Sequence, residues 1–217
     1  MKCEKDLLDL YCSKVENDVR PVLHYPFRQD GYICAGDGWV LIRIAETLCD
    51  GEYSENPNNL KAPNVSGILR QPNICLPITR QMLEDAISQA PDEKDRTCHE
   101  CDGEGQVRYE YMDRNNVRYD KWCECPCCDG TGLIGEYTAQ TTTFVLHGCH
   151  LPFGKIMILL KTMYILGVNA LRARYIGKPT EILMFDVEDA DINIYMTPVI
   201  ADGRLDSIDI EQIENNQ

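Results

Sequence analysis

Residues 98–105 read CHECDGEG and residues 125–132 read CPCCDGTG, so the chain carries the pattern C-x-x-C-x-G-x-G twice. The C-x-x-C spacing lets one tight turn present two thiolates to the same metal ion, and two such turns complete a tetrahedral shell of four sulfurs. The glycines permit positive φ after the second cysteine, which allows backbone N–H groups to turn towards the sulfurs. The sequence therefore predicts a single structural zinc ion. Its predicted ligands are Cys98, Cys101, Cys125 and Cys128.

Other candidate ligands lie near these four cysteines, and the repeat argues against each of them. Cys127 falls between two predicted ligands, where its side chain should point away from the metal, and His99 is interpreted as a spacer. Cys123 could replace Cys125, but the register of the repeat favours Cys125. Disulfides or free thiols are the alternative to zinc. Because a closed four-sulfur shell leaves no position for substrate or water, the predicted role of the metal is structural.

The segment between the two repeats reads as a β-hairpin. Residues 106–112 and 117–122 are predicted strands, with residues 113–116 at the turn. Basic and aromatic side chains interleave along the hairpin, as they do on surfaces that stack bases or contact phosphates. The alternative is a solvated hairpin whose aromatic side chains pack across the strands. The candidate residues for binding nucleic acid or a protein partner are Arg108, Tyr109, Tyr111, Arg118, Lys121 and Trp122.

The rest of the chain alternates helical patterns with short apolar runs that read as strands. A helical pattern over residues 4–14 precedes strands, and Thr79 is a candidate N-cap for a helix that Pro91 ends. An apolar helix is predicted over residues 153–166, with Gly167 at its end, before three more strands. The predicted fold class is therefore α+β, with two helix-plus-antiparallel-sheet halves and the zinc-binding β-hairpin module inserted between them.

The predicted domain boundaries follow these patterns. Residues 22–25 read as a strand, residues 92–96 as a charged linker into the cysteine module, and the end of the chain as a frayed tail. The predicted domains are residues 1–95 for the first half, 96–134 for the zinc module, 135–200 for the second half and 201–217 for the acidic tail.

The doubled repeat, residues 98–132, resembles the cysteine-rich domain of DnaJ-type co-chaperones. Those domains carry four such repeats and two zinc ions, so the two repeats here imply one zinc ion. The chain lacks the His-Pro-Asp triplet of a J-domain. The resemblance thus implies a pair of zinc knuckles used as a scaffold, and it does not carry co-chaperone function.

Residues 31–44, GYICAGDGWVLIRI, resemble the strand–turn–strand of bacterial sliding clamps, the processivity rings of DNA polymerase III. The pattern of that family is A-T-D-G-x-x-L. In this chain Gly36 replaces the threonine and Val40 replaces a usual arginine. The matching residues are Ala35, Asp37, Gly38 and Leu41.

A second stretch, residues 179–199, is similar to the closing strands of a clamp domain, although Thr197 separates the Met and Pro that the family has adjacent. The likeness covers residues 1–92 and 138–200. It implies helices on one face of the sheets and a clamp-like accessory role in DNA replication or mobile-element DNA metabolism. In clamp rings that helical face is basic and surrounds DNA, whereas the basic residues of these predicted helices are offset by acidic neighbours.

The composition restricts the classes of function and partner. The 217 residues include 21 Lys and Arg and 35 Asp and Glu, which gives a net charge of −14. This charge opposes non-specific binding to nucleic acid, although it does not exclude a local basic face. Twelve cysteines are many, but six of them crowd into residues 98–128 and the others read as reduced thiols. With no signal-peptide core and no apolar run of about 20 residues, a soluble cytoplasmic protein is expected.

No catalytic motif is evident in the sequence. P-loop, G-x-S-x-G and H-E-x-x-H patterns are absent. His147, Cys149 and His150 could hold a metal or form a Cys/His pair, but packing is the favoured interpretation. The predicted function is non-enzymatic zinc binding by a clamp-like module that binds DNA or protein and no membrane. The alternative is a zinc-stabilised protein-interaction scaffold or chaperone-like adaptor without nucleic-acid binding. DNA binding requires an exposed hairpin, whereas a scaffold could bury the hairpin against a partner.

Overall fold

The computed structural model describes residues 4–15, 20–55, 74–90, 93–137, 142–175, 180–200 and 205–212. The chain forms two compact units: unit 1 comprises residues 1–90 and 142–217, and unit 2 comprises residues 91–141. The fold is mixed α+β with mostly antiparallel sheets, and this coarse prediction is confirmed. Across the described ranges, no helix has the length and apolar character needed to cross a membrane.

The described α-helices are α1 (Glu4–Tyr11), α2 (Arg80–Gln89) and α3 (Phe153–Leu166). The strands of the first half are β1 (Phe27–Gln29), β2 (Tyr32–Gly36), β3 (Val40–Ala45) and β4 (Ile74–Thr79). Unit 2 contains β5 (Glu93–Thr97), β6 (Gln106–Met112), β7 (Arg118–Glu124) and β8 (Leu133–Tyr137). The remaining strands are β9 (Thr142–Leu146), β10 (Cys149–Pro152), β11 (Ala170–Tyr175), β12 (Leu183–Asp186), β13 (Ile192–Met196) and β14 (Asp206–Asp209).

Strands from both halves of the chain join one seven-stranded sheet in unit 1. Its order is β1-β2-β3-β13-β12-β11-β4, and every neighbouring pair is antiparallel. The central contact between β3 and β13 places Ile42 opposite Ile194. A second sheet has the order β10-β9-β14, in which β14 runs parallel to β9.

The main core of unit 1 lies between the helices and one face of the large sheet. Ile42 and Ile44 alternate on β3 and are fully buried, as are Leu159 and Met163 on α3. Within this apolar region Tyr11 of α1 contacts Thr162 of α3 through a buried 2.8 Å hydrogen bond between their hydroxyl groups. The bond satisfies two polar groups that would otherwise be costly to bury.

A smaller apolar cluster covers part of the opposite face of the large sheet. It contains Val22 and Leu23, which were predicted to lie in a strand but belong to a 3₁₀-helix, Pro21–His24. That prediction was wrong because Pro21 favours the first position of a helical turn, and the Leu23 N–H donates to the Arg20 carbonyl. The turn lets Leu23 pack with Leu41 on the sheet.

Other differences from the sequence predictions depend on distant partners. The predicted linker at residues 92–96 is largely strand, because β5 pairs with β8 from Thr97↔Leu133 to Glu93↔Tyr137. The acidic tail was predicted to be frayed, yet it contains β14, and Ile210 beside that strand is fully buried in the core. An acidic composition does not prevent pairing when one apolar residue can be buried.

Unit 2 consists of two antiparallel ribbons, β5–β8 and β6–β7. The clustered cysteines lie in the two segments that connect these ribbons along the chain. The β6–β7 ribbon is the hairpin that the sequence predicted, in a register from Gln106↔Glu124 to Met112↔Arg118. Asp113 stabilises its turn, because its carboxylate accepts from the N–H groups of Asn115 and Val117.

Candidate metal centre and binding surfaces

Four cysteine thiols converge in unit 2. Their sulfur atoms all lie within 4.8 Å of one another, and all four residues are buried. The Sγ atoms of Cys98 and Cys125 are 3.8 Å apart, and those of Cys101 and Cys128 are 3.7 Å apart. These distances exclude disulfide bonds between the paired atoms, whose bond length is about 2.05 Å. The cluster therefore consists of free thiols arranged as a group that can hold a metal ion.

The spacing of the sulfurs fits a tetrahedral zinc site. Four ligands at the usual Zn–S distance of about 2.3 Å place neighbouring sulfurs about 3.8 Å apart. The two measured sulfur–sulfur distances agree with this edge length. The donor set is four thiols with no oxygen ligand, which suits zinc better than calcium or magnesium. The cluster thus fits the metal that the sequence predicts.

The two cysteine turns are related by a local pseudo-twofold arrangement. The Cys98 N–H donates to the Gly132 carbonyl, and the Cys125 N–H donates to the Gly105 carbonyl, both at 2.8 Å. The N–H groups of Gly105 and Gly132 also donate to sulfur, to Cys101 and Cys128 respectively, at 3.2 Å. These bonds to sulfur are the ones predicted from the repeat, and they stabilise negative charge on the thiols.

The last glycine of each repeat is required by geometry. Gly105 and Gly132 have φ of 73° and 78°, in the left-handed region that side chains disfavour. A Cβ on Gly105 would collide with the Gly130 carbonyl oxygen, and a Cβ on Gly132 would collide with that of Gly103. Each turn therefore packs its backbone directly against the other.

The thiols of the cluster differ in acidity. Burial acts to raise the pKa of Cys128, but the Gly132 N–H and the neighbouring cysteines outweigh it and lower the pKa to about 7. Burial raises the pKa of Cys101 above its ordinary value, although the Gly105 N–H opposes the change. Unequal acidity is expected where several thiols share one site and cannot all ionise without a cation.

The residues that the repeat argued against lie outside the cluster. Cys127 is exposed, Cys123 is half-buried on β7, and His99 is exposed. Cys123 faces Val107 across the hairpin. Val107 and Ile134 pack against the four cysteines and form the small apolar surround of the cluster.

The six predicted binding residues of the hairpin divide between its two faces. Directly opposed residues of an antiparallel pair share a face, and alternate residues change face. One face, here named the tyrosine face, carries Tyr109 opposite Lys121 and Tyr111 opposite Tyr119. The other, named the arginine face, carries Arg108 opposite Trp122. The period-two alternation of the sequence separates the residues within each strand, and the register then joins the two strands into these two faces.

The arginine face is neutralised by its own carboxylates. Arg108 forms an ion pair with Asp120 at 2.9 Å, and Arg118 forms one with Glu110. Arg118 lies at the end of this face, opposite Met112. These arginines are therefore engaged within the hairpin, and the interleaved basic patch expected from the sequence is not one continuous surface.

The tyrosine face presents its side chains to solvent. Tyr109, Tyr111 and Tyr119 are 51%, 65% and 54% exposed. No carboxylate-bearing residue of β6 or β7 shares this face, because Glu110, Asp120 and Glu124 alternate onto the other one. The face combines three aromatic rings with the single ammonium group of Lys121.

Unit 1 contains an apolar pocket that the sequence analysis missed. It has an empty volume of about 390 Å³, part of it open to solvent, and it lies beside the turn between β2 and β3. Leu23, Leu41, Ile182 and Tyr195 form apolar walls, and Trp39 stands at the opening with 61% of its surface exposed. An exposed tryptophan beside an apolar pocket makes this region a candidate binding site.

The turn that carries Trp39 is held rigidly. The Asp37 carboxylate accepts from the N–H groups of Trp39 and Val40 at 2.7 and 2.8 Å. The buried ammonium of Lys155 lies 5.7 Å from the Trp39 ring centre and donates to the Thr197 carbonyl at the pocket wall. Burial lowers the pKa of Lys155, and the Asp37 charge opposes this change. These contacts fix a cation beside an apolar cavity.

The histidine and cysteine cluster of unit 1 has structural contacts. His147 lies in the turn between β9 and β10 and its ring contacts the Glu211 carboxylate at 2.7 Å. The His150 ring is 3.1 Å from the Thr143 hydroxyl, and Cys149 is fully buried. The contacts of His147 and His150 link β9 and β10 to β14 and to Glu211, which follows β14.

No protein-family model matches the chain, and no curated protein is significantly similar to it. The similar solved structures are bacterial sliding clamps, the β subunit of DNA polymerase III. The Helicobacter pylori clamp bound to a DNA ligase peptide is 10% identical, with 91% of this chain and 63% of that chain covered and a TM-score of 0.47. The Thermotoga maritima β subunit is 8% identical, with 92% and 64% covered and a TM-score of 0.47.

A third clamp, from Bartonella birtlesii and bound to griselimycin, is 14% identical, with 92% of this chain and 64% of that chain covered and a TM-score of 0.46. The chain spans less than two thirds of the length of each of these three clamps. At this identity and with TM-scores below 0.5, no fold family and no function is transferred to this chain from these clamps.

Proposed function

We propose that the protein is a non-enzymatic, zinc-binding accessory factor of DNA metabolism that acts by binding a partner protein. The observation that carries the binding role is the apolar pocket beside Trp39 in unit 1. The link to DNA metabolism is supported by the clamp-like sequence of residues 31–44, whose turn forms one side of that pocket. The zinc ion supports the fold of unit 2.

The proposed occupant of the pocket is a short apolar segment of a partner protein. Its walls offer aliphatic and aromatic surface, which favours an apolar side chain over a phosphate or a sugar. The Trp39 ring can cover such a side chain, and the nearby Lys155 ammonium favours a carbonyl or carboxylate group beside it. Aromatic anchors that fill or cover pockets supply much of the energy of protein recognition.

The four thiols are proposed as the ligands of one structural zinc ion. When bound, the ion supplies charge neutralisation for the thiolates and a crosslink between the two cysteine turns. Cys98 and Cys101 provide one side of the shell, and Cys125 and Cys128 provide the other. The filled shell leaves no open position for a reacting molecule, which supports a structural role and a non-enzymatic protein.

A peptide-selection experiment tests the pocket. A library of random 12-residue peptides is panned against the zinc-loaded full chain, and affinities of selected peptides are measured by fluorescence anisotropy of a label on the peptide. A Trp122→Phe background leaves Trp39 as the only tryptophan. We expect selected peptides to carry apolar residues, to shift the Trp39 emission, and to lose at least about tenfold in affinity on Trp39→Ala, since anchor residues contribute about 2 kcal/mol or more.

Trp122→Ala is the matched control, because Trp122 is 56% exposed on the hairpin, similar to Trp39. It should leave peptide affinity unchanged. Selected peptides that bind Trp39→Ala as tightly as the wild type would reject the pocket as the site. Peptide binding by a chain that has no measurable role in DNA synthesis or repair would favour the alternative, a zinc-stabilised interaction scaffold.

A further inference from the structure

We propose that the tyrosine face of the hairpin binds single-stranded nucleic acid, with bases stacked on Tyr109, Tyr111 and Tyr119 and a phosphate held by Lys121. The proposal extends the proposed role in DNA metabolism and depends on it. It concerns unit 2 alone, so it uses no residue of the pocket in unit 1.

The spacing of the rings suits successive bases. Tyr109 and Tyr111 are two residues apart on β6, which separates their Cα atoms by about 6.8 Å along the strand. Tyr119 lies directly opposite Tyr111 and widens the surface by one strand, and Lys121 lies directly opposite Tyr109. Single-stranded nucleic acid is extended and flexible, and its bases stack on aromatic side chains that are presented by a sheet.

The distribution of charge favours a polyanion on this face and not on the other. The carboxylates of the two strands alternate onto the arginine face, where Arg108 and Arg118 neutralise Asp120 and Glu110. The tyrosine face keeps the Lys121 ammonium with no strand carboxylate beside it. In a chain of net charge −14, this is a local surface on which a phosphate meets a cation and no carboxylate of β6 or β7.

The area of the face argues against a protein as the main occupant. Three half-exposed tyrosine rings offer on the order of 300–400 Å², given roughly 200 Å² for a whole side chain. A stable protein interface buries about 800 Å² on each partner. Base stacking does not need one large continuous surface, because each ring contributes about 1–3 kcal/mol with its own base.

The register of the hairpin is coupled to the cysteine cluster. Val107 is on the tyrosine face, two residues before Tyr109, and it packs against the buried thiols. A slip of one residue between β6 and β7 would place Tyr109 and Tyr111 on the face opposite to Tyr119. The metal-binding cluster at the base of the hairpin therefore maintains the face on which the rings are displayed.

The test is fluorescence anisotropy with a 5′-labelled 20-nucleotide oligothymidylate and the zinc-loaded full chain, at several salt concentrations. We expect the triple variant Tyr109→Ala, Tyr111→Ala and Tyr119→Ala to weaken binding roughly 100-fold, by the loss of three stacking contacts. The corresponding Tyr→Phe triple variant keeps the rings and should bind within about threefold of the wild type. Lys121→Gln should reduce the slope of log affinity against log salt by about 0.7.

Trp122→Ala is the matched control on the arginine face and should bind within about twofold of the wild type. Each variant is checked for bound zinc and for an unchanged circular dichroism spectrum, so that a folding defect is recognised. The proposal is overturned if the wild type does not bind the oligonucleotide, if the Tyr→Ala triple variant binds equally well, or if Trp122→Ala weakens binding as much. Should peptide binding at Trp39 persist in those cases, only this inference is lost.

Discussion

Units 1 and 2 are held together in different ways. Unit 1 buries a continuous apolar core in which side chains such as Phe144, Leu159 and Phe185 are fully enclosed. In the part of unit 2 that the structure describes, four cysteines are buried, and the hydrophobic residues packed around them are Val107 and Ile134. Its hairpin exposes nearly every side chain on both faces. A short segment with so little apolar burial cannot offset the entropy of its own ordering without a crosslink.

The chain therefore uses apolar burial to stabilise unit 1 and a cluster of four thiols to stabilise unit 2. Apolar burial in unit 1 fixes a sheet and the pocket beside the turn between β2 and β3, where Leu23 and Leu41 are themselves part of a small core cluster. The thiol cluster in unit 2 lets a hairpin present aromatic side chains to solvent instead of burying them. Unit 2 therefore keeps its hairpin aromatic residues exposed, as the proposed binding role requires, whereas unit 1 uses most of its own for packing.

The strongest test of this comparison removes the metal. Cys101→Ser, or a chelator added to the wild type, should unfold unit 2 and leave unit 1 folded, because binding of a structural zinc ion contributes on the order of 10 kcal/mol to a small domain. Zinc content by atomic absorption and residue-resolved amide hydrogen exchange measure the two units separately. Cys127→Ser is the control, since Cys127 is exposed, and it should retain one zinc ion. Loss of protection in unit 1 upon chelation would contradict the comparison.

The converse test damages the apolar core. Phe185 on β12 is fully buried and lies opposite Ile194, so Phe185→Ala should lower the free energy of unfolding of unit 1 by about 3–5 kcal/mol. Urea denaturation measures this change. The zinc content should stay at one ion per chain, because unit 2 does not use this core. Met112→Ala on the exposed hairpin is the control, and we expect a change within about 0.5 kcal/mol.

A polar contact in unit 1 gives a smaller and pH-dependent effect. Glu4 accepts hydrogen bonds from the N–H groups of Asp50 and Gly51 and from the Tyr53 hydroxyl. Burial acts to raise the pKa of Glu4, but these bonds outweigh it and lower the pKa below the ordinary value of 4.5. A depressed folded-state pKa means that the carboxylate stabilises the fold above pH 4.5 and loses this contribution as the pH falls through the folded-state value.

Glu4→Gln should therefore destabilise unit 1 by about 1–3 kcal/mol at pH 7, and its difference from the wild type should shrink below pH 4.5. Chemical denaturation across pH 3–7 gives both values. Glu52 is exposed and lies next to Gly51, so Glu52→Gln should show no such dependence on pH. A constant difference down to pH 3 would mean that Glu4 acts through packing and not through its charge.

The smallest effect is expected for the ion pairs of the hairpin. Arg108 and Asp120 are each about half exposed, and exposed pairs contribute less than about 1 kcal/mol. Arg108→Ala should leave zinc content unchanged and barely alter the chelator concentration that unfolds unit 2. A large loss of zinc in this variant would show that the arginine face, and not the thiol cluster, maintains the hairpin.

The elements that were predicted correctly are those with local signals. The hairpin at residues 106–124, helix α2 after its Thr79 cap and helix α3 before Gly167 each follow from residues close together in the chain. The Asp37-Gly38 turn between β2 and β3 is of the same kind, because Asp37 bonds to the backbone two and three residues ahead. Capping and turn chemistry act over a few residues, so they can be recognised without knowledge of the fold.

The elements that were missed depend on partners far along the chain. β5 forms because Arg96 meets Ile134, and β14 forms because Ile208 meets Phe144. The pocket has the same origin, since Leu23, Leu41, Ile182 and Tyr195 come from four separate segments. No local pattern marks any of these residues as members of one surface, and this is why the sequence analysis placed the binding site on the hairpin alone.

The cysteine cluster could be predicted from the sequence, because two copies of C-x-x-C-x-G-x-G specify both the thiols and the backbone conformation that brings them together. The grouping of the hairpin residues depends on strand pairing: the register pairs Arg108 with Trp122 and Tyr109 with Lys121, and the arginines of one face form ion pairs with its carboxylates. The physical reason is that metal-ligand turns are short-range chemistry. Faces and pockets are products of pairing between strands and of packing between distant segments.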